Sequence, residues 1–237
     1  MKNVLLIVLL VLVCIVGAAG YGGYRFLSFL ISCNGCVYEN NGGTVVHGSG
    51  HAVTQSRPVT GFSAVHVAGS GSILIDRTGT ESLSITADDN LLPLFTSAVK
   101  DGVLNLGIAK GKSFQGKAPV YRITAANLRD IEIAGAGEVT ANDLDGDSLS
   151  VKIGGSGDVR LAGQINTLTI SVAGSGNLDA SALKAKSATV AVAGSGDVTI
   201  NASDTLDARV SGSGEVRYLG SPKVTTKVSG SGSVKHK

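Results

Sequence analysis

Serines recur in this chain between two glycines, at Ser70, Ser156, Ser175, Ser195, Ser213 and Ser231. A serine on a tight glycine turn is one way to expose a nucleophile, because the turn lifts its hydroxyl clear of neighbouring side chains. None of the six completes a G-x-S-x-G elbow. The four histidines, His47, His51, His66 and His236, lie far from the middle of the serine series, so no Ser-His-Asp set is visible. Recurrence of one small motif argues for geometry before chemistry. Asp88 and Asp89 are the other tempting pair, since two carboxylates can cleave a glycosidic bond. Adjacent strand residues point to opposite faces, however, and a turn before Leu91 accounts for them equally well. Gly69-x-Gly71 lacks both the third glycine and the following helix of a nucleotide loop.

A second set of polar residues follows the glycines: Ser72, Glu138, Asp158, Asn177, Asp197, Glu215 and Ser233. Carboxylates stacked in a column attract hard cations such as calcium. The run Gly154-Gly-Ser-Gly-Asp158 places its aspartate one residue early for the calcium-binding nonapeptide, and Lys152, Arg160, Arg209, Arg217, Lys227 and Lys235 stand nearby. A solvated, cross-paired face is therefore expected, with no metal, cofactor or catalytic residue. Cys33 and Cys36 have CxxC spacing but neither follow a strand nor open a helix, so a redox role is not expected. Without lipid on Cys33, a local disulfide is the plain reading in an oxidising compartment. Zinc would need histidine partners, and the nearest, His47 and His51, sit in a loose segment.

The elements that must carry these residues are repeats. The phrase aliphatic, small residue, Gly-Ser-Gly, polar residue, aliphatic occurs with glycine pairs at Gly69/Gly71, Gly135/Gly137, Gly155/Gly157, Gly174/Gly176, Gly194/Gly196, Gly212/Gly214 and Gly230/Gly232. From Gly135 onward the steps are 20, 19, 20, 18 and 18 residues. A fixed period near twenty is the mark of stacked repeats, each unable to bury its apolar face alone. Positions two and four before the first glycine are mostly aliphatic, as in Val151/Ile153 and Val190/Val192, which is the period-2 mark of a strand. Two glycines around a small serine permit positive φ or a bulge, so the chain can turn sharply while neighbouring coils stack at strand spacing.

The expected fold is all-β: a parallel β-solenoid (β-helix, right-handed favoured) of about 18–20-residue coils with Gly-Ser-Gly corners. A hydrophobic helix is expected to precede it. A left-handed hexapeptide helix fits the six-residue grid of Val192, Val198, Val210, Val216, Val228 and Val234, but that grid fails at Asp204 and Pro222. Upstream of the regular array, Val65/Val67, Ile73/Ile75, Leu83/Ile85 and Tyr121/Ile123 predict further strands, and Lys110 to Pro119 reads as a polar loop.

Composition agrees with a thin aliphatic core. Hydrophobic residues make up 43% of the 237, yet aromatics only 4%, and tryptophan is absent. Thirty-three glycines without a Gly-X-Y period, and only four prolines, exclude collagen and simple disorder. Lys+Arg number 20 against 18 Asp+Glu; without Lys2 and Arg25 the balance is even, so nucleic acid is not an expected partner.

Residues 1–32 read as a signal peptide or N-terminal membrane anchor, with an apolar run from Val4 to Ala19 and a second apolar patch from Phe26 to Ser32. Three processing modes fit. Ala18-Ala19-Gly20 suits signal peptidase, Leu30-Ile31-Ser32-Cys33 resembles a lipobox with Cys33 as the lipidated residue, and Arg25 could snorkel beside an uncleaved anchor. Residues 33–56 have the Gly/Asn/Ser-rich composition of a flexible linker, and 57–237 form the solenoid domain.

An ordered set of motifs points further. Gly61-Phe62-x-x-Val65 leads to Gly-Ser-Gly, then come Asp89-Asn-Leu-Leu-Pro93, Val99-x-x-Gly102-x-Leu104 and Leu128-x-x-Ile131-x-Ile133-x-Gly135-x-Gly137. The series resembles the family called putative auto-transporter adhesin, head GIN domain (DUF2807), over about residues 57–237. The resemblance implies a β-helical envelope protein, often behind a signal or lipoprotein peptide. No segment after His236-Lys237 would serve as a translocator barrel, so self-transport is not expected of this chain.

The expected role is a non-enzymatic interaction module or adhesin, exported to a bacterial envelope and held at the membrane through its N-terminal segment or a lipid. Its ligand would be a protein or glycan surface. Between Ile131 and Lys237 only Tyr218 could act as a sugar platform, which disfavours carbohydrate grooves there. One alternative is a glycan-cleaving enzyme, a polysaccharide lyase or hydrolase, with its site in residues 78–127. Another is a structural envelope protein that self-associates through a terminal coil.

Overall fold

The computed structural model describes residues 37–40 and 43–237. The expected hydrophobic helix, with Cys14, Cys33 and Cys36, lies outside the described residues.

The strands, in chain order, are β1 (Val37–Asn40), β2 (Gly43–His47), β3 (Ala52–Arg57), β4 (Ala64–Gly69), β5 (Ser72–Arg77) and β6 (Ser82–Asp88). Then follow β7 (Phe95–Lys100), β8 (Val103–Ile108), β9 (Lys112–Gln115), β10 (Val120–Ala125), β11 (Asp130–Gly135) and β12 (Glu138–Gly155). The last six are β13 (Asp158–Gly174), β14 (Asn177–Gly194), β15 (Val198–Gly212), β16 (Glu215–Leu219), β17 (Lys223–Gly230) and β18 (Ser233–His236). Among the described residues the only helical piece is a 3-10 turn at Leu92–Leu94. The protein is all-β, and its regular part is a β-solenoid of about five turns.

Each coil passes through two parallel rows of strands. The row before the corner runs β8, β4, β11, then the second halves of β12 to β15, then β17. After the corner the order is β10, β5, the first halves of β12 to β15, then β16 and β18. Because pairing is parallel and in register, equal positions of successive repeats stack. Val67, Ile133, Ile153, Val172, Val192 and Val210 form one buried column, and Ile73, Val139, Val159, Leu178, Val198 and Val216 form its counterpart across the corner. Removing one Ile or Leu side chain from such a column to alanine costs about 2–5 kcal/mol.

The corner at Gly155-Ser-Gly157 shows what the glycines are for. Gly155 has φ +130°, a backbone state that strains other residues, and a Cβ there would stand 2.5 Å from the carbonyl oxygen of Gly135 on the coil before. Gly157 needs no unusual φ but has no room: a Cβ would meet the Gly137 oxygen at 2.8 Å and Ile133 Cγ2 at 2.9 Å.

The two glycines of a corner do different work. Gly71 does have positive φ, at 152°, but Gly137, Gly157, Gly176, Gly196, Gly214 and Gly232 do not. From Gly157 onward these second glycines are required by close stacking instead. A Cβ on Gly176, Gly196, Gly214 or Gly232 would collide with the carbonyl oxygen of the second glycine one coil earlier, at Gly157, Gly176, Gly196 and Gly214 respectively. It would also press on the aliphatic column, against Ile153, Val172, Val192 and Val210 in the same order. The first glycine of each corner sets the angle, and the second lets the next coil approach.

The polar bends between repeats are not separate loops: β12, β13 and β14 run through them as single strands of 18, 17 and 18 residues, with register shifts such as that between Ala141 and Leu144. Parallel neighbours satisfy the backbone through the bend, and residues of positive φ, Asp143 at 53° and Gly163 at 133°, absorb the angle. Nor do the linker and loop assignments hold over their full spans. Strand β3 pairs antiparallel with β6 from Ala52 to Arg57, while β2 pairs in parallel with β9, inside the stretch read as a polar loop. Their few apolar residues carry no period-2 signal because the contacts are mainly backbone pairing.

These pieces close the N-terminal end of the stack. β7 is antiparallel to β8, and β6 is antiparallel to both β3 and β10, so the parallel rows meet turned-back strands there. The far end differs. β17 pairs only with β15, and β18 only with β16, leaving Val228 42% exposed.

Candidate functional site

The six inter-glycine serines sit at the corners, one above another along the stack. Their hydroxyls have no histidine or carboxylate partner among the described hydrogen bonds, and Ser156, Ser175, Ser195 and Ser213 instead donate backbone N–H groups to the first corner glycine of the preceding coil. All six serine side chains are exposed, and the corner is held by the backbone bonds between coils.

Asp88 and Asp89 do face different surroundings, as strand geometry requires. Asp88 is 3% exposed and its Oδ2 accepts the Gly50 N–H at 3.1 Å. Asp89 Oδ1 accepts the Ser49 hydroxyl at 2.5 Å and the Asn90 N–H at 2.7 Å, and these bonds hold its carboxyl below the usual carboxylate range. Asn90 completes the set: Oδ1 accepts the Ser49 N–H at 2.9 Å and Nδ2 donates to the His47 carbonyl at 2.7 Å. The Asp-Asp-Asn triplet is a latch that fastens the Gly48-Ser-Gly50 segment.

The polar column after the corner is cross-linked along the stack. Asn177 Nδ2 donates to Asp158 Oδ1 at 2.9 Å, Asn177 Oδ1 accepts the Asp197 N–H at 3.3 Å, and Asp197 Oδ1 accepts the Glu215 N–H at 3.0 Å. Arg160 pairs with Glu138, while Arg217 at 2.6 Å and Lys235 at 3.0 Å pair with Glu215. Lys235, then Arg217, keeps the Glu215 carboxyl below its usual range despite the opposing effect of burial. Of the six basic residues named from sequence, only Arg160, Arg217 and Lys235 serve this column. Lys152, Arg209 and Lys227 precede the corner and lie on the other row, where Lys152 meets Asp130 and Glu132 and Arg209 meets Asp207.

A depression of about 590 Å3 lies elsewhere. It crosses the bends of consecutive coils and is bordered by Asp147, Gln164, Asn166, Lys184, Lys186 and Asn201. Asn166 Nδ2 donates to Asp147 Oδ1 at 3.0 Å, which orients both across adjacent coils. None of these residues is singled out in the sequence; the usable signal is that amide and charged residues recur at the bend of each repeat. The irregular stretch 78–127, where a site is expected, borders an apolar depression of about 400 Å3 that includes Phe95, Phe114 and Tyr121. Phe95 meets Phe114 edge-on at 5.2 Å and Tyr121 at 6.4 Å. Burial raises the Tyr121 hydroxyl to about 12, and nearby Arg57 only partly offsets it.

Aliphatic columns inside, turned-back strands at the N-terminal end and polar bends outside define the described residues as a parallel β-solenoid. The chain belongs to the family described as putative auto-transporter adhesin, head GIN domain (DUF2807), whose model matches residues 61–222. Among solved structures it is similar to a putative adhesin from Bacteroides fragilis NCTC 9343, at 28% identity and TM-score 0.67, covering 81% of this chain and 99% of that one. A putative lipid binding protein from Parabacteroides distasonis ATCC 8503, at 21% identity and TM-score 0.57, covers 81% and 99% respectively. A putative adhesin from the same organism, at 20% identity and TM-score 0.53, covers 81% and 100%. The two latter likenesses concern fold alone. No curated protein matches the chain.

Proposed function

We propose that this protein is a non-enzymatic interaction module of adhesin type, exported to a bacterial envelope and tethered there by its N-terminal segment or by lipid on Cys33. The observation that carries the reading is the groove over residues 145–203, where amides and charges from successive coils line one continuous surface. Gln164, Asn166 and Asn201 pair equally well with the N–H and C=O groups of an extended peptide. The groove has no aromatic platform on which a sugar ring could stack, so a protein strand or flat protein face fits it better than a glycan. Family membership and the 28% identical adhesin-type neighbour support the same class. The latched Asp88 and Asp89 favour binding over glycan cleavage, and the even charge balance speaks against nucleic acid.

The test is surface binding of the full chain to envelope proteins, envelope glycans and host-surface material, compared with Gln164→Ala/Asn166→Ala and with Asp88→Asn. Loss of a saturable protein interaction in the groove variant supports the reading. Glycan turnover that Asp88→Asn abolishes would instead establish the enzyme. Mass measurement of the mature N-terminus decides the tether: a diacylglyceryl mass on Cys33 identifies a lipoprotein, and an N-terminus after Gly20 identifies a cleaved signal.

A further inference from the structure

On the outer face of the row before the corner, three side chains from two neighbouring strands converge. His66 of β4 stands directly opposite Glu132 of β11 in the register, with Asp130 two residues earlier on the same face. His66 Nε2 lies 3.2 Å from Asp130 Oδ1 and 3.8 Å from Glu132 Oε2, and one donor atom from each of the three fits within 4.8 Å of the others. All three are half-buried. Lys152, on β12 in line with Glu132, reaches both carboxylates at 3.7 and 3.9 Å, longer than good hydrogen bonds. Among the described residues no cation besides His66 and Lys152 pairs with Asp130 or Glu132, so one lysine faces two carboxylates. A depression of about 460 Å3, bordered by His66, Thr96, Asn105 and Glu132, opens beside it.

The geometry points to a divalent transition-metal site of zinc type, formed by His66 Nε2, Asp130 and Glu132, with Lys152 holding the cation's place when metal is absent. One imidazole and two carboxylates suit zinc, whose ligand distances near 2.1 Å put tetrahedral donors about 3.4 Å apart. The two His66 separations already bracket that value, and the third edge, within 4.8 Å, closes by rotation of the carboxylate side chains. The open depression supplies room for water in the remaining position. Calcium is a poorer fit, because an imidazole is not one of its usual oxygen donors. Lys152 is an exposed pairing partner, bound weakly enough for a divalent ion to displace it. The site would join β4, in the irregular part, to β11, the first strand of the regular array, across 64 residues of sequence.

The experiment is calorimetric titration of Zn2+ into the full chain with its cysteines alkylated, beside His66→Gln and Lys152→Met. Thermal unfolding with and without chelator verifies that each variant folds. Expected are one zinc per chain, binding weakened more than tenfold in His66→Gln, several-fold tighter binding in Lys152→Met, and a zinc-dependent rise in melting temperature lost in His66→Gln. Absence of binding in both the wild-type chain and Lys152→Met overturns the site. So does equal affinity in His66→Gln, which would place the zinc elsewhere. Unaltered affinity in Lys152→Met overturns the role given to that lysine.

Discussion

At one corner, three consecutive residues separate scaffold from chemistry. Gly155→Ala must carry a side chain at φ +130° and drive it toward the Gly135 carbonyl, so unfolding in urea should show a loss of about 3 kcal/mol or more. Gly157→Ala keeps an accessible backbone angle but meets the Gly137 oxygen and Ile133, and should lose about 1–3 kcal/mol. Ser156→Ala, between them, should stay within about 0.5 kcal/mol. A serine needed for chemistry would give the reverse ranking in an activity assay. Tyr121 supplies a pH test. Its folded value, about 12, stands above the ordinary 10, so stability is fully present below pH 10 and falls as pH rises from 10 toward 12. Alkaline melting curves should show a loss of up to about 2–3 kcal/mol that Tyr121→Phe removes.

At the scale of elements, the latch and the turned-back strands decide how well the N-terminal end is held. Asn90→Ala removes bonds to both Ser49 and His47. Hydrogen exchange at Ser49 and Gly50 should speed by about tenfold or more, while amides in β13 and β14 keep their protection. Arg57 makes a parallel fastening: Nη1 donates to the Phe95 carbonyl at 2.6 Å and Nη2 to the Leu92 carbonyl at 2.9 Å, tying the 3-10 turn to β3. Arg57→Ala should lower stability in urea unfolding by about 2 kcal/mol through those orphaned carbonyls.

These elements also show where sequence reading stops. The columns from Val139 to Val216 are legible because a periodic apolar pattern and a periodic glycine are produced by the same stacking. The different duties of the two corner glycines are not, since Gly174 and Gly176 look alike until the approach of the neighbouring coil is known. The latch is visible only as Asp-Asp-Asn, because its Ser49 partner sits 40 residues from Asp89 and belongs to no repeat. Strands β2, β3 and β9 escape for a related reason: they are short, carry few apolar residues, and are paired by backbone groups that any side chain permits. The split of the basic residues between two rows depends on which side of the corner each strand falls.

Across the whole molecule, the two ends of the stack are unlike. The N-terminal end is covered by antiparallel strands, which blunt an edge that could otherwise recruit further chains. The last coil presents β17 and β18 with one partner each and Val228 exposed. If that edge joins copies, sedimentation of the full chain should show concentration-dependent association, and removal of residues 223–237 should abolish it. Identical sedimentation of both forms would assign the edge no such role.

The register of the coils has an evolutionary corollary. Because each repeat meets only its two neighbours and presents the same columns to both, the array can grow or shrink by whole coils without retuning the covered end. Register shifts at the bends absorb the one- and two-residue differences between coils, and duplication of a complete coil, such as 175–194, preserves every column. The length of the stack is thus a quantity that recombination can alter in steps of about 4.8 Å, the separation of paired strands, while the fold stays the same.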